Sequence, residues 1–233
     1  AGFSCRPVRR KSAQVLYDQA VKTLENSGHN ELTLSSLSTS DYRELPELTD
    51  ELIPYCTSQK VNLSVPSLRA DNFSRELMNK LQTLRKSGLT FAPEAGTQRL
   101  RDVINKNLSE EEILTSCANA FSGGWNNVKL YFMLGLPTET EEDMKGIAHL
   151  AEKIAKRYYE IPKDQRNGKC QITISTSFFV PKPFTPFQWA PMDTMEDFND
   201  KARVVNTEVK NQLNRKSLKY NWHQADVTVL EGL

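Results

Sequence analysis

The sequence has few cysteines, and no two of them lie close together. The four thiols are Cys5, Cys56, Cys117 and Cys170, and each is more than 50 positions from the next. Metal-binding cysteines usually come in closely spaced pairs, and small disulfide-stapled domains also use short, regular spacings. This distribution therefore excludes both kinds of framework within the chain and favours reduced thiols in the cytoplasm.

Long apolar runs and an excess of one charge are also missing. No stretch approaches the ~18 consecutive apolar residues of a membrane-spanning helix, so no membrane partner is expected. The formal net charge is +1, which gives no electrostatic support for nucleic acid as a partner. The histidines are dispersed, and no nucleophile elbow, phosphate-binding loop or dinucleotide fingerprint is present. The 233 residues suffice for one large domain, and Ala1 in place of an initiator Met indicates an excised piece.

Helical and extended patterns alternate along the chain. The predicted helices are Ser12–Ser27, Arg43–Ser58, Ser74–Ser87, Ser109–Ala120, Thr140–Tyr158 and Thr194–Leu213. The predicted strands are Glu31–Leu37, Val61–Leu68, Leu89–Ala92, Asn127–Leu134, Gln171–Val180 and Val227–Leu230. Strict alternation predicts an α/β fold with a parallel sheet covered by helices. Because such units normally begin on a strand, we expect a first strand and its loop upstream of Ala1.

Three segments at strand ends carry most of the functional information. They are Leu89–Lys106, Val128–Met144 and Gln171–Pro191. Each opens as an apolar run of strand length, breaks at Pro or Gly and then leads into charged, helix-like sequence. Active-site loops at the carboxyl ends of parallel strands are built in this way.

These loops resemble those of the radical S-adenosylmethionine (SAM) enzymes, in the branch shared by elongator-like and methylthiotransferase-like proteins. The matching residues are Pro93-Glu94-Ala95-Gly96, Gly135-Leu136-Pro137-Thr138-Glu139-Thr140 and Val180-Pro181-Lys182-Pro183-Phe184-Thr185-Pro186-Phe187. The opening AGFSCRPVRRKS is similar to the segment that follows the cluster-binding Cys-x-x-x-Cys-x-x-Cys loop in members with an upstream cobalamin-binding-type domain. The closing Trp222-His223 and Leu230-Glu231-Gly232 resemble the end of that group.

The resemblance implies a partial (β/α) TIM-type barrel over residues 1–233 that lacks its first strand and cluster loop. Members bind a [4Fe–4S] cluster through three cysteines and cleave SAM reductively to methionine and a 5′-deoxyadenosyl radical, which abstracts hydrogen from a substrate. Cys5 is a lone thiol and cannot replace that loop, because cluster binding needs several converging thiolates. We therefore expect the parent protein to be the enzyme, with an upstream domain as partner, and this chain to be inactive alone. The substrate and any part played by cobalamin stay open.

The resemblance also implies SAM contacts at the first of the three segments. Glu94 is the candidate carboxylate for the SAM amino group or ribose, and its alternative role is to cap the following helix. Among Arg99, Arg101 and Lys106, we favour Arg101 as the partner of the SAM carboxylate, since a guanidinium fits a carboxylate bidentately. The alternative for all three is a solvated basic face.

Further candidates lie on the neighbouring loops. Ser36 and Ser38 are weak polar candidates, because they stand where many members have a Gly-Gly-Glu turn that is absent here. Ser64 and Arg69, on the next strand and loop, are candidates for the ribose or carboxylate, and the alternative for Ser64 is a barrel-interior hydroxyl satisfied by the backbone. The predicted adenine pocket consists of Gly135, Leu136, Pro137, Phe179 and Val180, although the first three also suit a plain strand-to-helix turn. The Pro-braced loop with Lys182, Phe184, Phe187 and Trp189 is predicted to cover the substrate, dock a neighbouring domain, stack a nucleic-acid base or plug the barrel end.

Two other classes of function compete with the radical one. A TIM-barrel aldolase would need a Schiff-base amine, for which Lys182 is the candidate. A non-catalytic scaffold for RNA or a protein partner would need a basic groove, which the net charge does not favour.

Overall fold

The computed structural model describes Pro7 and residues 9–36, 39–64 and 89–232, and in these residues every paired strand runs parallel to its neighbour. The chain groups into two units, residues 1–87 and 88–233. The predicted α/β class is confirmed, and the described strands form no closed barrel. The assignment of one domain to residues 1–233 stays a prediction.

The first unit contains two helices and two short strands. The order is α1 (Ala13–Ser27), β1 (Glu31–Thr33), a 3-10 turn (Thr39–Asp41), α2 (Leu45–Ser58) and β2 (Asn62–Ser64). Ser12 caps α1 by accepting a hydrogen bond from the Val15 amide, and Gly28 ends it in the left-handed conformation. The predicted helix Ser74–Ser87 lies outside the described residues. Residues 65–68 of the strand predicted from Val61 to Leu68 lie outside them too.

The second unit contains a four-stranded sheet with the order β3-β4-β5-β6. Its elements are β3 (Leu89–Glu94), α3 (Gln98–Val103), α4 (Glu110–Ser122), β4 (Asn127–Leu134), α5 (Glu141–Glu160), a 3-10 turn (Lys163–Gln165), β5 (Gln171–Phe178), α6 (Met195–Asn211), a 3-10 turn (Arg215–Ser217), β6 (Leu218–Trp222) and α7 (Ala225–Glu231). Because neighbouring strands are consecutive and parallel, each connection crosses over through a helix.

Local sequence explains where the long helices begin. Ser109, Thr140 and Thr194 each accept a hydrogen bond from an amide three residues on, and the acidic side chain there bonds back to the cap amide. Such reciprocal capping boxes satisfy two otherwise unpaired donors at each helix start. The three starts predicted from these residues are confirmed.

The two faces of the sheet differ in chemistry. In β4 the buried side chains alternate along the strand, and they are Val128, Leu130, Phe132 and Leu134. Helices α4, α5 and α6 supply the buried apolar side chains of the second unit, including Ile113, Cys117, Ile147, Ile154 and Phe198. The intervening β4 positions carry Lys129, Tyr131 and Met133, which are less buried. The helices therefore pack on one face, and the opposite face is polar.

The prediction for the end of the chain is wrong. Residues 227–230 are helical rather than extended, and the last strand is Leu218–Trp222. Helix α7 buries Ala225 and Thr228, which are three residues apart, so its buried residues follow helical rather than strand periodicity. Strand β6 alternates Leu218, Tyr220 and Trp222 with polar residues, and it pairs with β5 along its whole length. Within the described residues, no helix is long and apolar enough to cross a membrane.

Candidate functional site

The carboxyl ends of β3, β4 and β5 form one edge of the sheet. Glu94 pairs with Phe132, and Leu134 pairs with Phe178. Since parallel neighbours end side by side, the loops that begin at Glu94, Gly135 and Phe179 leave the sheet together. The structure thus brings the three predicted strand-end segments to one place.

Glu94 has an unusual backbone conformation for its residue type. Its φ angle is +68°, in the left-handed region that side chains other than glycine rarely adopt. Its carboxylate Oε1 lies 3.4 Å from Lys106 Nζ, and the two side chains are about one-third exposed. Strained backbone of this kind clusters at functional sites. A partly exposed ion pair therefore stands at the edge of the sheet, open to a ligand.

Arg101 does not form that pair. It is fully buried, with Nε donating to the Leu108 carbonyl at 3.0 Å and an Nη donating to the Ala95 carbonyl at 3.0 Å. Its remaining Nη donates to Gln98 Oε1 at 3.1 Å. Burial lowers the pKa of Arg101, while the charges of nearby carboxylates raise it. This geometry favours a structural role for Arg101, which ties the loop after Glu94 to the end of α3. The SAM contact assigned to it stays a prediction that this geometry does not favour.

Arg99 is also engaged elsewhere. It donates to the carboxylate of Asp143 and, at 2.8 Å, to the carbonyl of Thr138, while Thr97 donates to the same carboxylate. Burial alone would raise the pKa of Asp143, but the hydrogen bonds from Arg99, Thr97 and Thr140 outweigh it and lower the pKa to about 2. Of the three basic candidates, Lys106 is thus the one whose charge faces Glu94.

Close packing joins the same loop to helix α5. A Cβ atom on Gly96 would lie 2.3 Å from the Ile147 amide nitrogen and 2.5 Å from the Asp143 carbonyl oxygen. A Cβ on Gly146 would lie 3.1 Å from the Gly96 carbonyl carbon. Two glycines therefore let the loop and the helix meet backbone to backbone, which fixes the exit of β3 against α5.

An apolar cluster lies beneath the strand-end loops. Its buried members are Ala95, Leu100, Leu136 and Phe179, and Ile104, Met133, Phe187 and Ala190 pack against it. Leu136 and Phe179, two of the predicted adenine-pocket residues, are therefore packing partners. The cluster joins one residue from each of the three loops, so it holds them in a common position.

Hydrogen bonds and ion pairs among charged side chains hold the loop after β4 in place. The Gly135 amide donates to Glu139 Oε2 at 2.8 Å, and this carboxylate lies 3.3 Å from Lys201 Nζ. Lys201 also donates to Asp193 Oδ2 at 2.5 Å. Gly135 has φ +82°, and a Cβ on it would lie 2.8 Å from Asp193 Oδ2. Lys201 on α6 thereby connects the loop after β4 with the segment before α6.

Burial and the neighbouring charges shift the pKa values of Glu139 and Lys201 in this group of ion pairs. Burial raises the pKa of Glu139, although the Gly135 amide and the Lys201 ammonium partly offset the effect. Burial would lower the pKa of Lys201, but its two carboxylate partners outweigh it and raise the pKa. Because the nearest carboxylates share one ammonium, Lys201 is the central member. Sequence analysis missed Lys201 and Asp193, since neither belongs to a motif and both come from a later part of the chain.

The aromatic loop has one anchored part and one exposed part. Phe187 packs edge-on against Phe179, with 6.2 Å between ring centroids. Within the loop, the Phe184 amide donates to Gln188 Oε1 at 3.2 Å, and Thr185 Oγ1 donates to the Lys182 carbonyl at 2.6 Å. The Phe184 and Trp189 side chains are 79% and 89% exposed. An ordered loop thus presents two aromatic rings to solvent beside Lys182, which is also exposed.

The candidates of the first unit are described only in part. Ser36 Oγ lies 3.2 Å from Thr39 Oγ1, and the Ser64 carbonyl accepts from the Leu34 amide at 2.9 Å. Ser38 and Arg69 lie outside the described residues. The SAM contacts assigned to these four residues stay predictions.

The described residues do not fit an iron–sulfur cluster. Cys56, Cys117 and Cys170 are free and buried, and burial raises the pKa of Cys170 to about 12. Cluster ligands must be thiolates that converge on the metal, whereas these thiols are held protonated. Across residues 9–36, 39–64 and 89–232, no group of three or more His, Cys, Asp or Glu side chains could hold a metal ion. The Glu94–Lys106 pair, in contrast, carries the two charges that complement an amino acid.

The sequence is similar to a known protein family and to one curated protein. The family model of the radical SAM superfamily matches residues 4–151, which is more than half of the chain. An uncharacterized protein of Methanocaldococcus jannaschii is 37% identical over 164 residues, which are 70% of this chain and 33% of that protein. This chain therefore spans about a third of the length of that relative.

Two solved structures show the same fold. Coproporphyrinogen III oxidase (HemN) from Escherichia coli, a radical SAM enzyme, has a TM-score of 0.57 and 13% identity, with 85% of this chain and 46% of that chain covered. The archaeal Methanocaldococcus infernus Elp3 has a TM-score of 0.51 and 15% identity, with 91% of this chain and 54% of that chain covered. At this identity the likeness concerns the fold alone, which is a parallel α/β fold of partial TIM-barrel type. The chain belongs to the radical SAM superfamily, a family of enzymes.

Proposed function

We propose that this chain is the SAM-binding core of a radical SAM enzyme, with Glu94 and Lys106 at the amino-acid end of SAM. The observation that carries the proposal is the Glu94–Lys106 ion pair, 3.4 Å long, at the carboxyl edge of the sheet. Ligand sites of parallel α/β folds lie at this edge.

The charges of the pair match those of the ligand. The amino-acid end of SAM carries an ammonium group next to a carboxylate, so Glu94 can accept from the former while Lys106 donates to the latter. Lys106 has no other ion-pair partner among the described residues, whereas Arg99 and Arg101 are held by Asp143 and by backbone carbonyls. The pair is partly exposed, so binding SAM requires no buried charge to be uncovered.

The adjoining loops offer an apolar support for the adenine. Leu136 and Phe179 are buried in one cluster, and Gly135 has the positive φ that the turn between β4 and Leu136 requires. Pro137 and Val180, each half-buried, continue these two loops. We assign Gly135, Leu136, Pro137, Phe179 and Val180 to this support, with Glu139 and Lys201 holding its position.

The chemistry of this family needs a further group. SAM bound at a reduced [4Fe–4S] cluster supplies a 5′-deoxyadenosyl radical, and we propose that chemistry only together with cluster cysteines from outside this sequence. The chain's own residues would bind SAM, orient it and exclude water from it. The substrate is not assigned, and participation of cobalamin stays a prediction from the sequence.

The test is SAM affinity, measured by isothermal titration calorimetry on the 233-residue chain. We expect Glu94→Gln and Lys106→Met each to weaken binding about tenfold, since each removes one charge-assisted hydrogen bond. Lys145→Met is the matched control, because Lys145 also forms a partly exposed lysine–glutamate pair, with Glu141 on α5. Exposed ion pairs contribute little to stability, so all three variants should fold. Unchanged affinity in both site variants would exclude the pair from the SAM site.

The exposed aromatic loop favours one competing function. Trp189 and Phe184, with Lys182 beside them, could stack and hold an RNA base in a non-catalytic scaffold. In that case the wild-type chain should bind single-stranded RNA but not SAM. Trp189→Ala and Phe184→Ala should each abolish the RNA binding. The aldolase hypothesis gains no support, because Lys182 is exposed and a Schiff-base lysine works best in a desolvated pocket.

A further inference from the structure

The polar face of the β3–β6 sheet, opposite the helices, carries side chains that can donate hydrogen bonds. We call it the inner face and define it by Thr90, Lys129, Thr173, Ser175, Lys219 and Asn221. The strand register aligns them in rows, since Thr90 pairs with Lys129, Lys129 with Thr173, and Thr173 with Lys219. Ser175 pairs with Asn221 in the next row.

These side chains have almost no partners within the protein. In the described part of the chain, the hydroxyl, amide and ammonium groups of Thr90, Thr173, Ser175, Lys219 and Asn221 make no hydrogen bond or ion pair. Lys129 Nζ lies 4.5 Å from the centroid of the Tyr131 ring and forms no ion pair there. Ser175 is nevertheless only 9% exposed. Buried polar groups normally have partners, so the Ser175 hydroxyl is an unusual group on this face, whereas the more exposed side chains around it are accessible to solvent or to a ligand.

The helix-covered face behaves differently. There Thr176 Oγ1 and Tyr220 Oη lie 2.9 Å apart and satisfy each other, although they occupy the strands β5 and β6 that also form the inner face. On the same two strands, the hydroxyls of the helix-covered face are paired with each other, whereas the hydroxyls of Thr173 and Ser175 on the inner face have no partner among the described residues.

The sign of the charge narrows the ligand class. On the inner face, the residues of β4, β5 and β6 and those of β3 as far as Ala92 include two lysines and no carboxylate. Neighbouring strands are ~4.8 Å apart, so Lys129 and Lys219, on either side of Thr173, are ~10 Å apart at their backbones. Their flexible side chains can converge on one anionic group over Thr173.

The spacing of residues along β5 indicates how long a molecule bound to the inner face can be. Alternate residues on a strand are ~7 Å apart, so Thr173, Ser175 and Ser177 form a hydroxyl ladder of ~13 Å. The ladder runs from the lysine row towards the carboxyl edge, where β4 ends at Leu134. A molecule of that length could contact the lysines at one end and the strand-end loops at the other.

We propose that the inner face binds the substrate of this protein, and that the substrate is a small molecule with a phosphate or carboxylate group and an acceptor-rich body. The anionic group binds Lys129 and Lys219, and the hydroxyl ladder binds the body. This rests on the proposed function in one respect, namely that the far end of the substrate meets SAM at the carboxyl edge. The binding of the anion does not depend on SAM.

The test is calorimetric titration of the 233-residue chain with pyrophosphate and, separately, with citrate. These two probes distinguish phosphate from carboxylate as the preferred group. We expect Lys129→Gln and Lys219→Gln each to weaken binding of the preferred probe about tenfold, since each removes a charged donor. Ser175→Ala keeps all charges and should weaken it several-fold. Lys216→Gln is the matched control, because Lys216 is an exposed lysine of the preceding 3-10 turn, outside the face.

The outcomes separate this inference from the proposed function. If wild-type protein binds neither probe at millimolar concentration, or if Lys216→Gln weakens binding as much as Lys219→Gln, the inference is wrong. SAM is titrated into the same samples, and its affinity should be unchanged in the Lys129 and Lys219 variants. Protein that binds SAM but neither probe contradicts the inference alone. Protein that binds a probe but no SAM contradicts the proposed function and leaves the inner face as an anion site.

Discussion

Replacing Asp143 by Asn should destabilise the protein in a manner that depends on pH. Asp143 completes the capping box of α5 with Thr140, and its carboxylate also accepts from Arg99 and from Thr97 in the loop after β3. The side chain is 2% exposed. Asn keeps the size and one acceptor oxygen but removes the negative charge, so the substitution isolates the contribution of that charge.

The lowered pKa of Asp143 gives the size of the expected loss in stability. A fall from the ordinary 3.8 to about 2 corresponds to about 2.4 kcal/mol of stabilisation when the carboxylate is ionised. Arg99 is 49% exposed, so solvent screens part of this effect, and we expect about 1–2 kcal/mol at pH 7. Because the folded-state pKa lies below the unfolded one, the stabilisation is fully present above pH 3.8. It is lost as the pH falls through about 2.

The assay is urea unfolding of both proteins between pH 7 and the lowest pH at which the wild type still folds. Asp197→Asn is the matched control, because Thr194 and Asp197 form the same capping box on α6 without an arginine. We expect a smaller loss from the control than from Asp143→Asn. Equal losses, or a difference between wild type and Asp143→Asn that does not shrink as the pH approaches 2, would refute the reasoning.

Three further predictions concern packing and buried charge. Arg101→Lys should lower the free energy of unfolding by about 2–3 kcal/mol in urea titrations, because it leaves buried carbonyls unpaired; reduced SAM affinity with unchanged stability would instead show that Arg101 binds SAM. Gly96→Ala should cost more than about 3 kcal/mol or prevent folding, since its Cβ meets the Ile147 amide nitrogen at 2.3 Å, and a melting temperature close to wild type would contradict that contact. Lys201→Met should lower the free energy of unfolding by about 2–4 kcal/mol in thermal melts, since it leaves a buried carboxylate without its cation, and the loss should exceed that of Glu139→Gln. A larger loss from Glu139→Gln would mean that Lys201 is not the central member of the Glu139, Lys201 and Asp193 group.

Much of the fold could be predicted because its signals are local. The capping boxes at Ser109, Thr140 and Thr194 marked helix starts, and the apolar run Asn127–Leu134 has the observed strand bounds. Strand β6 could not be found in this way. Its residues Leu218–Trp222 form a run of only five, none of them buried, and their extended conformation depends on pairing with β5.

The position of the candidate site was predictable in outline, but the contacts of its charged side chains were not. Spacing alone placed three basic residues on one short stretch after Glu94, and guanidinium geometry favoured Arg101. The structure buries Arg101 against Ala95 and Leu108, and it turns Lys106 towards Glu94. A helical stretch of six residues followed by an irregular turn decides that difference, and no periodicity in the sequence encodes the turn.

Sequence by itself determined the class of fold, the family and the order of the strand-end loops. These follow from caps, strand runs and motifs, all of which depend on residues close together in the chain. Tertiary structure alone decided which charges meet. Lys201 reaches Glu139 across a separation of more than 60 residues, and Lys129 and Lys219 share a row although 90 positions separate them. Such pairs arise because the parallel sheet and the helices packed on it bring distant segments together, and these contacts exist only once the sheet has formed.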